Sequence, residues 1–361
     1  MLMGLNPGLG ALNAATPSQA ARLIGELTQL AGDRLLPALP ILERRGLVPP
    51  ELADLAAWGG AEHQGGNHPA ADRVVIEALE RAGLRVLVLK GTLLAHTVYD
   101  TQAQRLRSDT DLLVAPHQRQ AAQAVLERLG LTPNRAPMVL TMEAQDGWQG
   151  SIHRHPVLID LHWHLFSHPA FAPLFSFEAL WRRRQAITIA GHHTFGLGPV
   201  DALLHSALHY FAHHDEGDRP AQWLLDGDLL WQRMNAADRR SAVARAIDLE
   251  VAGVVGAFLE RANTRFHTGI PPAVLAELHQ AGQDQWRSAI TRIDGRPLAA
   301  QILILRGMQG WRARLRYLRG QIVPSRRYML SKYPDASSWG LPWLYIRRGV
   351  EGWRERVRRQ R

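Results

Sequence analysis

Short apolar runs alternate with amphipathic stretches between residues 71 and 166. The stretch ADRVVIEALERAG carries apolar residues at helical spacing and closes on Gly83, which predicts an amphipathic helix. RVLVLK then predicts a strand, GTLLAHTVY a helix, SDTDLLV a strand and HQRQAAQAVLERLG a helix that ends on Gly130. Further strands are predicted at Met138–Met142, Trp148–Arg154 and Val157–Trp163. We therefore expect this segment to form an α/β unit.

The pattern changes after Phe166 and becomes mainly helical. QAITIAG and HHTFGLG predict a hairpin around Gly191, and helical periodicity follows at 199–214, 219–234, 238–263 and 273–282. The expected organisation has five parts: a disordered N-terminus (1–20), a helical segment interrupted by prolines (21–70), the α/β unit (71–166), a mainly helical domain (167–300) and a C-terminal segment (301–361).

Composition excludes several classes of protein. The chain has 361 residues, of which 46% are hydrophobic and 21% charged, as is usual for a globular protein of two or three domains. The sequence has no apolar run of the roughly 18 residues that span a bilayer, and its first residues do not resemble a signal peptide, so we expect a cytoplasmic protein. Zero cysteines exclude disulfides, thiolate zinc sites and cysteine nucleophiles.

Positive charge is concentrated at the C-terminal end. The segment from Arg306 to Arg361 holds 15 basic and 3 acidic residues, whereas the whole chain has a net charge of +9, so the remainder is slightly acidic. Four tryptophans are interleaved with these arginines. The segment is expected to contact an acidic partner, nucleic acid or a membrane surface. A solvated tail or a helix packed on the body explains the same pattern.

Two aspartates lie at the start of an apolar strand. Asp109 and Asp111 are two residues apart, so in a strand their side chains point to the same face. Carboxylates this close repel each other unless a cation lies between them. Mg²⁺ binds one or two carboxylates together with phosphate oxygens, and Mn²⁺ is the alternative. The pair therefore predicts a divalent metal site.

A third carboxylate and several basic residues extend this hypothesis. Asp160 lies in the apolar strand VLIDLHWHL, and three converging acids would suit two-metal nucleotidyl transfer. The strand-to-helix turn at Lys90, Gly91 and Thr92 would bring phosphate close to the backbone and to a helix N-terminus. Lys90 is one of only two lysines in the chain. The remaining candidate phosphate contacts just precede the acidic strand: Arg105, Arg107 and Ser108.

The motifs LKGTLLAHTVY, RLRSDTDLLV and IDLHWHL resemble the uncharacterised nucleotidyltransferase family of the polymerase-beta-like superfamily. DALLHSALHYFAHH, WLLDGDLL and IVPSRRYMLSKYP continue the resemblance over most of the chain. It implies an α+β fold in which a core with a mixed sheet flanked by helices precedes a mainly helical C-terminal domain. It also implies that Asp109 and Asp111 bind Mg²⁺, that Asp160 is the third acid, and that an NTP such as ATP is the co-substrate. Lys90-Gly91 stands where the wider superfamily has Gly-Ser.

Histidines give the competing hypotheses. His205, His209 and His213 recur every fourth residue and would share one helix face, where they would bind zinc or iron in a metal-dependent hydrolase. His162 and His164 would share the face of Asp160, and His209 would alternatively reach the nucleotidyl site. Ordinary packing on an amphipathic helix explains the same spacing. A third hypothesis is a non-catalytic nucleotide-binding protein that docks through its basic tail.

Overall fold

A computed structural model describes residues 26, 28–48, 68–134, 144–212, 220–293, 296–322, 329, 333, 343–348 and 351. The fold is built on one mixed sheet of seven strands with the order β3-β4-β5-β2-β1-β7-β6. The strands are β1 (Val86–Val88), β2 (Thr110–Val114), β3 (Thr132–Asn134), β4 (Gln145–Ile152), β5 (His155–His162), β6 (Gln185–Ile189) and β7 (His192–Gly196). The structure is the α+β architecture that the sequence predicts.

Twelve α-helices are described, besides short 3-10 turns. They are α1 (Leu39–Arg44), α2 (Pro69–Arg81), α3 (Lys90–Thr97), α4 (Arg119–Arg128), α5 (Phe177–Arg182), α6 (Pro199–Ala212), α7 (Ala221–Arg233), α8 (Ala236–Asp248), α9 (Ala252–Phe266), α10 (Pro272–Gly282), α11 (Pro297–Gly307) and α12 (Trp311–Ile322). None of these described helices is long and apolar enough to cross a membrane.

The central strands are buried on both faces. Every residue of β1 and β2 is buried, and the buried residues are apolar except for Thr110 and Asp111 at the start of β2. β2 runs antiparallel to β1 and parallel to β5. Helix α2 begins at Pro69 after its N-cap His68, whose side chain accepts from the Ala70 amide. The result is a rigid sheet in which acidic positions of β2 and β5 lie side by side.

The predicted hairpin around Gly191 forms and joins this same sheet. β6 and β7 pair antiparallel, and β7 pairs parallel with β1 through Val88 and Gly196. Glycine is required at position 196, because a Cβ there would lie 2.4 Å from the Leu93 side chain of α3. The sheet therefore continues beyond residue 166, where we expected the mainly helical domain to begin.

One predicted helix is divided in two. The periodic stretch 238–263 belongs to α8 and α9, which are separated by Leu249, Glu250 and Val251. Glu250 has a left-handed φ of 56°, and the Val251 amide donates to the Ala246 carbonyl, which ends α8. The expectation of one helix was wrong because this chain reversal has neither glycine nor proline.

Some expectations lie outside the described residues. These are the disordered segment 1–20, the strand at Met138–Met142, His213, half of the segment 21–70 and most of the chain after residue 322.

Candidate active site

Asp111 and Asp160 are brought together by the register of two parallel strands. In the β2–β5 pair, Asp111 lies opposite Asp160 and Leu113 lies opposite His162. Residues two apart share a face, so both carboxylates and the imidazole lie on one side of the sheet. One possible ligand atom from each of Asp111, Asp160 and His162 lies within 4.8 Å of the other two. In the described part of the chain, this set of three is close enough to hold a metal ion, and Asp109, which directly precedes β2, is not a member of it.

Lys90 occupies the centre of this cluster. Its Nζ donates to Asp111 Oδ1 at 2.7 Å, and the same oxygen lies 2.9 Å from His162 Nε2. Lys90 is the first residue of α3 and has a left-handed φ of 44°, a conformation that costs a non-glycine residue about 1–2 kcal/mol. The ammonium–carboxylate contact offsets that cost. Burial opposes the charge on Lys90, but Asp111 outweighs it and raises the lysine pKa.

His162 and Gln145 orient the two carboxylates. Among the described residues His162 Nδ1 meets no hydrogen-bond partner, which assigns the ring proton to Nε2 and makes it a donor to Asp111. Burial and the nearby Lys90 charge lower the His162 pKa, so the ring is neutral. Gln145 Nε2 donates to Asp160 Oδ2 at 3.0 Å. No pattern in the sequence indicated Gln145, since its role depends on the β4–β5 pairing.

The three aspartates differ in their affinity for protons. Burial would raise the pKa of Asp111, but the Lys90 charge and the His162 hydrogen bond hold it below its ordinary value. Burial and the charge of Asp111 raise the pKa of Asp160. Burial, followed by the charge of Asp111, raises the pKa of Asp109 to about 6. Asp109 and Asp160 therefore carry negative charge that nearby side chains do not neutralise.

Arg105 has a different role from the predicted phosphate contact. Its guanidinium is buried and donates to both Asp226 oxygens at 2.7 Å and to Gln222 at 2.8 Å. Tyr99 Oη donates to Asp226 Oδ1 at 2.8 Å. Because all of these groups are buried, Arg105 connects the strand region to α7 and is not free to bind phosphate.

Arg107 also contributes to local structure, and Gly91 lies beside Arg105. A Cβ at Gly91 would lie 3.6 Å from the Arg105 guanidinium, which is an ordinary van der Waals distance, so the space there would also admit alanine. Arg107 Nη2 donates to Asp72 Oδ2 at 2.6 Å, and Thr110 Oγ1 donates to Asp72 Oδ1 at 2.5 Å. No pattern in the sequence indicated Asp72, which anchors the start of β2 to α2.

The remaining predicted residues are placed as follows. Thr92 is buried in the first turn of α3, and Ser108 is exposed before β2. His164 is half-buried after β5, and its burial lowers its pKa. The ring of His205 packs 5.2 Å from that of Phe166, and the ring of His209 packs 4.9 Å from that of Trp223. These contacts are typical of helix packing, and His213 lies outside the described residues.

Comparison with protein families gives one match over more than half of the chain. The model of a family described as "Uncharacterised nucleotidyltransferase" matches residues 46–267. No curated protein sequence matches the chain.

Similar solved structures include two proteins. One is ANT(2")-Ia in complex with adenylyl-2"-tobramycin, with 16% identity, a TM-score of 0.35 and coverage of 54% of this chain and 97% of that chain. The other is an antigenic nucleotidyltransferase-like protein from Paracoccidioides brasiliensis, with 12% identity, a TM-score of 0.32 and coverage of 54% and 95%.

Proposed function

The chain belongs to the uncharacterised nucleotidyltransferase family, and from that premise we propose that it transfers a nucleoside monophosphate from an NTP to an acceptor hydroxyl in a metal-dependent reaction. The observation that supports this proposal most is the placement of Asp111 and Asp160 opposite each other on parallel strands. Asp109 is near enough for the charges of both to raise its pKa. The proposed nucleotide is an NTP such as ATP, and the acceptor is a hydroxyl group.

The donor set fits a hard divalent cation. Carboxylate oxygens are the ligands that Mg²⁺ prefers, and Mn²⁺ accepts them as well. Three carboxylates beside a single ammonium leave an excess of two negative charges, which one divalent cation would balance. Burial, followed by the charge of Asp111, raises the pKa of Asp109, which a bound cation would lower. Asp109, Asp111 and Asp160 would hold the metal.

When bound, Mg²⁺ would neutralise charge on the transferred phosphate and lower the pKa of the attacking hydroxyl. The chain's own residues have separate tasks. Lys90 and His162 keep Asp111 ionised at neutral pH, while Gln145 fixes the orientation of Asp160. The N-terminus of α3 has no side-chain cap at Leu89, and its first backbone amides would donate to triphosphate oxygens.

The test uses purified protein, each α-labelled NTP in turn, Mg²⁺ or Mn²⁺, and a fractionated cell extract as the source of acceptor. We expect the label to enter one fraction with the wild type, and transfer to fall by at least about a hundredfold for Asp160→Asn, since a metal ligand is lost. Asp146→Asn is the matched control, because Asp146 lies on β4 opposite Leu161 and binds Gln123 and Arg119 instead.

A binding measurement shows whether Asp160→Asn loses activity because it binds the metal ion more weakly or because it binds a substrate more weakly. We expect Mn²⁺ titration followed by electron paramagnetic resonance to show saturable binding to the wild type and to Asp146→Asn. Asp160→Asn should bind Mn²⁺ at least about tenfold more weakly. Equal labelling and equal Mn²⁺ affinity in all three proteins would contradict the proposal.

A further inference from the structure

Among the described side chains of α12 (residues 311–319), those that pack on the protein lie on one face. Tyr317 is buried, and its hydroxyl donates to the side chain of Gln301 on α11. Arg314 Nε donates to the Met308 carbonyl at 3.3 Å, which holds the beginning of the helix. Ala313, one turn before Tyr317, is half-buried on the same face. These contacts define the attached side of α12.

A narrow apolar stripe lies on the opposite side of α12. Trp311, Leu315 and Leu318 are exposed to 68%, 57% and 42%. Their spacing of four and then three residues places them within an arc of roughly 60° on a helix of 3.6 residues per turn. Tyr317 falls on the far side of the helix from that arc. Large apolar side chains at this exposure are unusual unless a partner covers them.

Arginines flank the stripe on both sides. Arg314 lies next to one edge, and Arg312 and Arg319 lie next to the other edge, with Arg316 beyond them. All four are exposed, and the helix sequence WRARLRYLRGQI has no acidic residue. Arg312 also stacks over the Trp311 ring, 5.5 Å from its centroid. The exposed side of α12 is therefore apolar at its centre and strongly positive at its edges.

The preceding helix, α11, has a similar division between its faces. Ala300 and Leu303 are buried, and Gly307 lies against the backbone of Ala170. On the other side Leu298 and Ile302 are exposed to 74% and 58%. Two consecutive helices thus each have one face packed on the protein and large apolar side chains exposed on another face.

We propose that the exposed face of α12 binds the surface of a bilayer that contains anionic phospholipids. A helix with a tryptophan–leucine stripe bordered by arginines is typical of one that lies in the plane of the membrane interface. The stripe enters the boundary between headgroups and acyl chains, and the arginines contact phosphate groups from both sides. Nucleic acid would use the arginines but leave the leucines exposed to water.

The binding assay is flotation of the full-length protein with vesicles. One set is made of phosphatidylcholine mixed with phosphatidylglycerol, and the other of phosphatidylcholine alone. We expect the protein to float with the mixed vesicles and to remain unbound with the neutral ones. Binding should weaken as salt is added, because exposed charges are screened over a Debye length of about 8 Å at physiological ionic strength.

Two double variants test the two components of the surface. Leu315→Gln with Leu318→Gln should reduce partitioning at least about tenfold, since apolar burial is lost. Arg316→Gln with Arg319→Gln should reduce it about 25-fold, at about fivefold per arginine near an anionic surface. Arg128→Gln with Arg240→Gln removes the same charge from exposed positions on α4 and α8 and should leave binding unchanged. Circular dichroism should match for all variants, because each altered residue is exposed.

Several outcomes would overturn the proposal. Equal binding to neutral and anionic vesicles would show that the arginines do not contribute to membrane binding. Equal binding by the wild type and both α12 variants would show that α12 is not the binding surface. Binding of polyglutamate or RNA without vesicle binding would assign the face to an acidic protein or to nucleic acid. Dimerisation in size-exclusion chromatography that both α12 variants abolish, without vesicle binding, would assign it to a second copy of the chain.

Discussion

The buried carboxylate of Asp109 is expected to destabilise the metal-free protein. Replacing it should therefore change stability and activity in opposite directions. The carboxyl group is largely buried and lies near the charges of Asp111 and Asp160, which together raise its pKa from 3.8 to about 6. Lys90 and His162 oppose this rise without cancelling it. We predict that Asp109→Asn makes the metal-free protein more stable and at the same time removes a ligand of the proposed Mg²⁺ site.

The magnitude and its pH dependence follow from linkage. A carboxyl whose pKa rises from 3.8 in the unfolded chain to about 6 in the folded protein costs about 3 kcal/mol at neutral pH. Partial exposure of Asp109 reduces this figure, so we expect Asn to gain about 1–2 kcal/mol. Between about pH 4 and pH 6 the folded state binds the proton and the unfolded state does not, so wild-type stability decreases as pH rises. The gain in free energy of unfolding of Asp109→Asn over the wild type should be complete above about pH 6 and absent below about pH 4.

Urea denaturation in EDTA, at about pH 7.5 and about pH 5, measures this difference in the free energy of unfolding. Asp284→Asn is the control, because Asp284 is exposed between α10 and the following 3-10 turn, and its change should stay within about 0.5 kcal/mol. Added Mg²⁺ should then stabilise the wild type more than Asp109→Asn. A variant that unfolds at lower urea than the wild type in EDTA at about pH 7.5 would refute the electrostatic reasoning.

Three further substitutions test packing and ion pairs, each by urea denaturation at neutral pH. Lys90→Met leaves Asp111 buried without its ammonium and should cost about 3 kcal/mol; an unchanged midpoint would contradict the pairing. Arg105→Ala leaves Asp226 unpaired and should cost about 3–5 kcal/mol, whereas exposed Arg240→Ala should cost less than about 0.5 kcal/mol. Gly227→Ala places a Cβ 2.2 Å from the Phe258 ring and should cost at least about 1–3 kcal/mol; a stable variant would mean that α7 and α9 separate easily.

The central part of the fold could be predicted because its local signals agree. Apolar strands and amphipathic helices between residues 71 and 166 gave most of the elements of the core with the correct type. Strand pairing has no comparable local signal. The β6–β7 hairpin was predicted as a hairpin, but its pairing with β1 depends on Gly196 lying under Leu93, which is a contact between distant segments.

In the candidate site, too, the features with a local signal could be predicted and the contacts between distant segments could not. Acidic residues in apolar strands predicted that Asp111 and Asp160 need a positive partner, and the register places them opposite each other. The identity of each partner was not predictable. Arg105 pairs with an aspartate 121 residues away, and nothing local distinguishes that arginine from the other basic residues. The aspartates of WLLDGDLL carried a signal of the same kind, since they interrupt an apolar helix.

The buried pair between Arg105 and Asp226 has a consequence for any shortened version of this protein. A chain ended after the sheet, at Gly198 for example, would keep the guanidinium below Gly91 while losing the carboxylate that neutralises it. In such a fragment, water would have to reach the Arg105 guanidinium, and the strand-to-helix turn at Lys90 would have to move to admit it. Expression of the strand half alone is therefore expected to yield insoluble material, because it also exposes the apolar core that the sheet shares with the later helices.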